Sequence, residues 1–300
     1  MAKARLTFLG TGTSQGVPII GCGCEVCRST DERDKRFRSS ALVDYMGVRI
    51  LIDAGPDFRS QMLAAGVRHL DAILLTHNHK DHTGGLDDVR ALNYIDRSAV
   101  EIYCEDRVLH SLQVEYSYAF AEDKYPGAPE WHVHTIDSNP FMVRKEHLGE
   151  LTWMHDVGYG YMQPDGSFVK SRGTTIEPAP AFSENPGPDE VPVIPIRGFH
   201  DSMPVLGFRF GDIAYITDMS SIPEEEFSKL RGLRHLTLNT VGYKRHHSHF
   251  SLEEAEAIAA KVGAEHTWLT HLSHTFPRHE EFCRALPDGI APAYDGLVIE

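Results

Sequence analysis

No run in this sequence approaches the ~18 uncharged apolar residues that a membrane helix requires. Basic residues are also scarce: 29 Lys and Arg against 43 Asp and Glu leave a formal charge of −14. That balance argues against a broad basic surface of the kind that tracks a nucleic-acid backbone. It leaves room for a small anionic substrate, because bound divalent metals reverse the local field. Cysteines number only five, an odd count. Three of them fall within Cys22-Gly-Cys24-Glu-Val-Cys27, a spacing that suits a metal knot better than disulfides in a chain without an export signal. The opening residues, Met-Ala-Lys-Ala-Arg-Leu-Thr-Phe, lack the apolar core and cleavage site of a signal peptide, so a cytoplasmic location is expected.

What the sequence does have is a folded protein's apolar content, 41% over 300 residues, and 18 histidines. Short apolar, β-branched runs bounded by Gly, Pro or Asp predict strands at Arg5–Leu9, Ala41–Tyr45, Val48–Ile52, Ala72–Thr76 and Glu101–Cys104. Further strands are expected at Val191–Ile196, Val205–Phe210, Ile213–Thr217, His235–Thr240 and Thr267–Thr270. Helices are expected at Phe58–Ala65, Leu86–Tyr94, Pro223–Leu230 and Leu252–Val262, the last opened by a Ser251/Glu254 capping box. Helices interspersed among many strands suggest two sheets sandwiched between helices in a single α/β domain spanning 1–300, although the mixed order alone also admits an ordinary doubly wound sheet. Between about 108 and 190 the pattern weakens, and an elaboration on the core is expected there. Trp131, His132, His134, Trp153 and His155 in that segment are assigned to core or surface.

The densest signal is Leu74-Leu75-Thr76-His77-Asn78-His79-Lys80-Asp81-His82-Thr83-Gly84-Gly85. An apolar strand ends, and three histidines and an aspartate follow within six residues. Imidazole and carboxylate are the ligands of borderline-to-hard divalent ions. Crowding them at a strand end gathers several side chains around one point. His77 and His79 would share one ion, and Asp81 and His82 would turn toward a second.

This His-x-His-x-Asp-His string resembles the metallo-β-lactamase superfamily. The resemblance implies an αββα four-layer sandwich with metals at one edge of the sheets. It also implies that His200, Asp218 in Ile216-Thr217-Asp218-Met219-Ser220, and His271 in Leu269-Thr270-His271-Leu272-Ser273-His274 complete a dinuclear site. Asp218 would bridge the ions through two oxygens, and Asp53 in Asp53-Ala54-Gly55 would organise the site by hydrogen bonding. Asp81 would serve as both ligand and catalytic residue.

Cys22, Cys24 and Cys27 supply three soft ligands, and a closed structural zinc site needs four. His274 is the natural fourth. It would tie the N-terminal loop to the segment carrying His271. With Gly10-Thr11-Gly12-Thr13-Ser14-Gln15-Gly16-Val17-Pro18 and the closing Tyr294-Asp295-Gly296, this combination resembles the PhnP-type phosphoribosyl cyclic phosphate phosphodiesterases over most of residues 5–105 and 191–299. His249 matches a non-ligand active-site histidine of that group, placed to protonate a departing oxygen.

The expectation is therefore hydrolysis of a small, cyclic phosphodiester, such as phosphoribosyl 1,2-cyclic phosphate or a cyclic nucleotide, by two Mn or Zn ions. One structural Zn and a homodimer are implied as well, with no membrane partner. An RNA-processing endonuclease of the same superfamily would share the ligands, but its substrate calls for a basic arm. A non-catalytic nucleotide-sensing member would have lost ligands, and this chain keeps all seven.

Overall fold

The computed structural model describes residues 3–125, 127–144, 150–154, 158–171 and 173–300. Contacts group the chain into two compact units, one of residues 1–46, 138–140 and 193–300 and the other of 47–137 and 141–192.

The chain begins in the first unit with β1 (Ala4–Gly10) and β2 (Ser40–Tyr45), which pair antiparallel. It then builds the second unit from β3 (Val48–Ile52), α1 (Phe58–Ala64), β4 (Ala72–Leu74), α2 (Lys80–Thr83) and α3 (Arg90–Asp96). There follow β5 (Val100–Cys104), α4 (Asp106–Glu115), α5 (Ser117–Phe120), β6 (Trp131–Thr135) and β7 (Phe141–Arg144). A small antiparallel sheet of β8 (Glu150–Met154), β9 (Gly158–Met162) and β10 (Phe168–Lys170) precedes β11 (Thr175–Pro178). The chain returns to the first unit through β12 (Glu190–His200), β13 (Met203–Phe210), β14 (Ile213–Tyr215) and β15 (His235–Asn239). It ends with α6 (Leu252–Val262), β16 (His266–Thr270), α7 (His279–Ala285), β17 (Ile290–Pro292) and β18 (Val298–Ile299).

In the second unit, β3, β4, β5, β6 and β11 run parallel in that spatial order. Parallel strands buried on both faces read as continuous apolar runs, as Ile50, Leu51, Ile52, Ile73 and Leu74 do. In the first unit, β2–β1–β18 faces the run β12–β17, with Phe8 against Tyr215 and Tyr45 against Phe210 at ring separations of 6.4 Å. Helix α6 closes that core. Ala255 and Ala259, one turn apart, bury their methyls against a cluster holding Leu236, Leu238 and Leu269. Each of these leucines, removed wholly from water, contributes roughly 1.5–3 kcal/mol. The expected capping box forms: Ser251 accepts from the Glu254 amide, Glu254 answers at the Ser251 amide, and Gly263 ends the helix with a left-handed turn.

Two expected helices take other forms. Leu86–Tyr94 splits into a 3-10 turn, Leu86–Val89, and α3, whereas the segment after Pro223 is a 3-10 helix, Glu224–Leu230.

Candidate metal centre

The histidine string of the second unit begins where β4 stops. Because β3 and β4 are parallel neighbours, both release their chains at the same sheet edge, and Asp53 is set beside Thr76. Asp53 accepts from the Thr76 amide at 2.9 Å and from its hydroxyl, and its other oxygen lies 2.7 Å from His82 Nδ1. Burial pushes Asp53 up in pKa against the pull of His82 and Thr76. A carboxylate on one ring nitrogen orients the opposite nitrogen toward a metal. His82 Nε2 accordingly faces Asp81 Oδ2 at 3.3 Å. The His77 ring lies 4.6 Å from that of His79 and 4.2 Å from that of His82, so the three imidazoles share one small volume. Tight packing of the loop makes this possible. A Cβ on Gly55 would stand 2.0 Å from the Asp81 carbonyl oxygen, and one on Gly85 would stand 2.1 Å from that of Gly55.

The first unit presents a matching set at the ends of its own strands. His200 closes β12, Asp218 follows β14 and His271 follows β16. Asp218 Oδ1 lies 2.9 Å from His271 Nδ1, and Ser39 Oγ approaches the same nitrogen at 3.1 Å. His249 stacks on His271 at 4.7 Å and meets the His200 ring edge-on at the same separation. His200, Asp218 and His249 bring one ligand atom each within 4.8 Å of the others. Burial, then the His271 ring, pulls His249 down to a pKa of about 3, so it is neutral at pH 7.

Asp53, Asp218 and His271 all adopt positive φ, between 57° and 62°. Non-glycine residues pay for that conformation, and such strain collects at functional sites. Asn239, which the sequence reading passed over, holds one of these turns. Its side chain accepts from the Met219 amide and donates to the Met219 carbonyl, both at 2.9 Å. The only hint in the sequence is a polar residue ending an apolar strand.

The cysteine knot also assembles within the first unit. Cys22, Cys24 and Cys27 sulfurs lie 3.3, 3.5 and 3.6 Å from His274 Nδ1. Tetrahedral zinc with ordinary Zn–S and Zn–N bonds spaces these atoms about 3.6 Å apart, so the donor set fits that ion. The Cys27 amide, donating to the Cys24 sulfur, leads in lowering that thiol to about 6, whereas burial raises Cys27 to about 11. His132 and His134 prove to be buried strand residues beside Glu101, and His155 lies outside the described residues.

A family description, β-lactamase superfamily domain, matches residues 48–272. The chain belongs to the metallo-β-lactamase superfamily. A solved structure described as a new diphosphatase from the PhnP family is 36% identical, with 99% of this chain and 98% of that chain covered and a TM-score of 0.77. That likeness places the chain in the PhnP family. Zn-bound PqqB from Methylobacterium extorquens shares the fold at 18% identity, with 99% of each chain covered and a TM-score of 0.63. A protein named octanoyltransferase from Porphyromonas gingivalis is 38% identical over 98% of this chain, which spans about half (51%) of that relative. No helix among the described residues is long and apolar enough to cross a membrane.

Proposed function

We propose that this chain hydrolyses a small phosphodiester, with a cyclic ribose phosphate or cyclic nucleotide as the preferred class. The observation that carries the reading is the 36% identity, along nearly the whole chain, to a PhnP-family diphosphatase, a protein named for cleavage at phosphorus. The donor sets support it. His77, His79 and His200 would hold one divalent ion, Asp81, His82 and His271 a second, and Asp218 would be shared. Manganese or zinc suits this nitrogen and oxygen chemistry. Two such ions, when bound, lower the pKa of a water molecule and offset charge on the phosphoryl oxygens.

The side chains around them divide the remaining work. Asp53 orients His82, and Asn239 fixes the turn that presents Asp218. Asp81 would both ligate and accept a hydrogen bond from the attacking water. His249 would assist the departing oxygen from its place beside His200 and His271. The charge of −14 weighs against an RNA substrate and in favour of a small one. The unpaired knot cysteines suit a reducing compartment, and the cytoplasm is proposed on that ground. The family likeness further suggests a homodimer.

A second reading, cleavage of a diphosphate ester, is favoured by the likeness to the 36% identical diphosphatase. The test is turnover of bis(p-nitrophenyl) phosphate by manganese-loaded protein, followed by ribose cyclic phosphates, cyclic nucleotides and a nucleoside diphosphate ester in parallel. Chelator-sensitive diester cleavage that Asp218→Ala reduces by more than about a thousandfold is expected. Cleavage of the diphosphate ester alone would replace the first reading with the second. Full turnover by Asp218→Ala would remove that residue from the site.

A further inference from the structure

Three parallel strands of the second unit bring two imidazoles and two carboxylates to one sheet face. Glu101 on β5 is the register partner of His132 on β6, and Glu177 on β11 is the partner of His134. Side chains alternate along a strand, so His132 and His134 point the same way, as do Glu101 and Tyr103. His132, His134 and Glu101 are buried, while the Glu177 side chain is 45% exposed. The Tyr103 ring stacks on His134 at 4.4 Å and holds it flat.

The two carboxylates approach opposite sides of the imidazole pair. Glu101 Oε2 accepts from His134 Nε2 at 2.6 Å and lies 3.0 Å from His132 Nδ1. Glu177 Oε1 faces the other nitrogens, at 3.4 Å from His132 Nε2 and 3.6 Å from His134 Nδ1. A proton on Nε2, engaged by Glu101, leaves the His134 Nδ1 lone pair directed away from that bond. This Nδ1 is buried without a hydrogen-bond partner. The two separations from Glu177 are those of paired ligands on one ion: bonds of 2.0–2.2 Å at tetrahedral angles separate donor atoms by about 3.3–3.6 Å. The spacing on the Glu101 side is shorter and is that of a carboxylate orienting metal-binding rings from behind.

We propose that His132 Nε2, His134 Nδ1 and Glu177 form a separate divalent-cation site of the zinc class, held in shape by Glu101 and reached from solvent past Glu177. It shares no residue with the candidate centre or the cysteine knot, and it does not depend on the proposed substrate. Two histidines and a carboxylate leave a fourth position for water, and the site serves to pin β6 to β11.

The test is metal content. Full-length protein is loaded with zinc, passed through a desalting column and analysed by inductively coupled plasma mass spectrometry. The double variant His132→Gln/His134→Gln should carry one zinc equivalent fewer than the wild type, with unchanged far-ultraviolet circular dichroism and diesterase turnover within twofold. Glu177→Gln, a change at a half-exposed side chain, should weaken zinc binding about tenfold or more in competition with a chromogenic chelator. A double variant that folds and keeps the wild-type zinc content overturns the site. Should the double variant fail to fold, unaltered zinc content and affinity in Glu177→Gln overturns it equally.

Discussion

The second unit gathers two groups of histidines in different ways. His77, His79 and His82 come from one short segment, released where β4 ends, and their rings lie 4.2–4.6 Å apart because consecutive residues turn around one point. His132 and His134 lie in mid-strand, and they meet Glu101 and Glu177 through strand alternation and the register of three parallel strands. Both groups have a buried carboxylate behind the rings, Asp53 in one and Glu101 in the other. They differ in what the backbone must do. The first needs tight turns, a positive φ at Asp53 and glycines against carbonyl oxygens, whereas the second needs only regular strands. A site made by a loop can be remade by a few substitutions nearby, but one made by register holds only while the sheet does.

The largest effect expected is at the cysteine knot, which combines both routes: three ligands from one loop and a fourth from far along the chain. Cys24→Ser should remove the knot's zinc and cost more than about 4 kcal/mol, the range seen when a structural metal is lost. Thermal melting and metal analysis would measure this, and a variant that keeps its zinc and its Tm would show that the knot is no metal site.

Next come the two supporting carboxylates. Asp53→Asn should lower diesterase turnover about 10–100-fold through misplacement of His82. Glu101→Gln should leave turnover within twofold while weakening zinc binding at the strand-borne group by a similar 10–100-fold. Equal losses of turnover in the two variants would erase the distinction between the groups.

The smallest effect concerns His69, an imidazole that also stands between two carboxylates, at 2.8 Å from both Asp71 and Asp96, but half-exposed. Burial pulls its pKa down, and hydrogen bonds to Asp71 and Asp96 outweigh that and raise it above 6.5. A histidine whose folded pKa is raised binds its proton more tightly in the folded state. Its stabilisation is complete below pH 6.5 and is lost as pH climbs through the raised value. Solvent screening keeps the gain below about 1 kcal/mol. The Tm difference between wild type and His69→Gln should therefore be larger at pH 5.5 than at pH 8.5, and a difference independent of pH would remove the ionic role.

The same contrast explains what the sequence made legible. The strands around the string announce themselves as apolar runs, and the string itself is dense enough to read without a fold. β6 did not, because Trp-His-Val-His-Thr places polar rings at alternate positions where a buried strand usually shows aliphatics. Glu101, His132, His134 and Glu177 are scattered over 77 positions, and only register unites them. Helix α4 did carry a usable signal, in Val108, Leu109 and Leu112 on one buried face, inside the segment read as irregular. Asn239 carried almost none, since a single amide at a strand end looks the same whether it caps a ligand's turn or faces water.

The separation of 247 to 252 residues between the knot cysteines and His274 has a consequence for synthesis. During translation the three thiols emerge early, and their fourth partner is added only when most of the polypeptide exists. Until then the cysteines would form an incomplete chelate, open to oxidation and to loss of any captured ion. A chain truncated before His274 never closes it. With zinc bound, the knot would thus act as a late fastening, and a chain that ends before His274 would leave three thiols without their fourth partner.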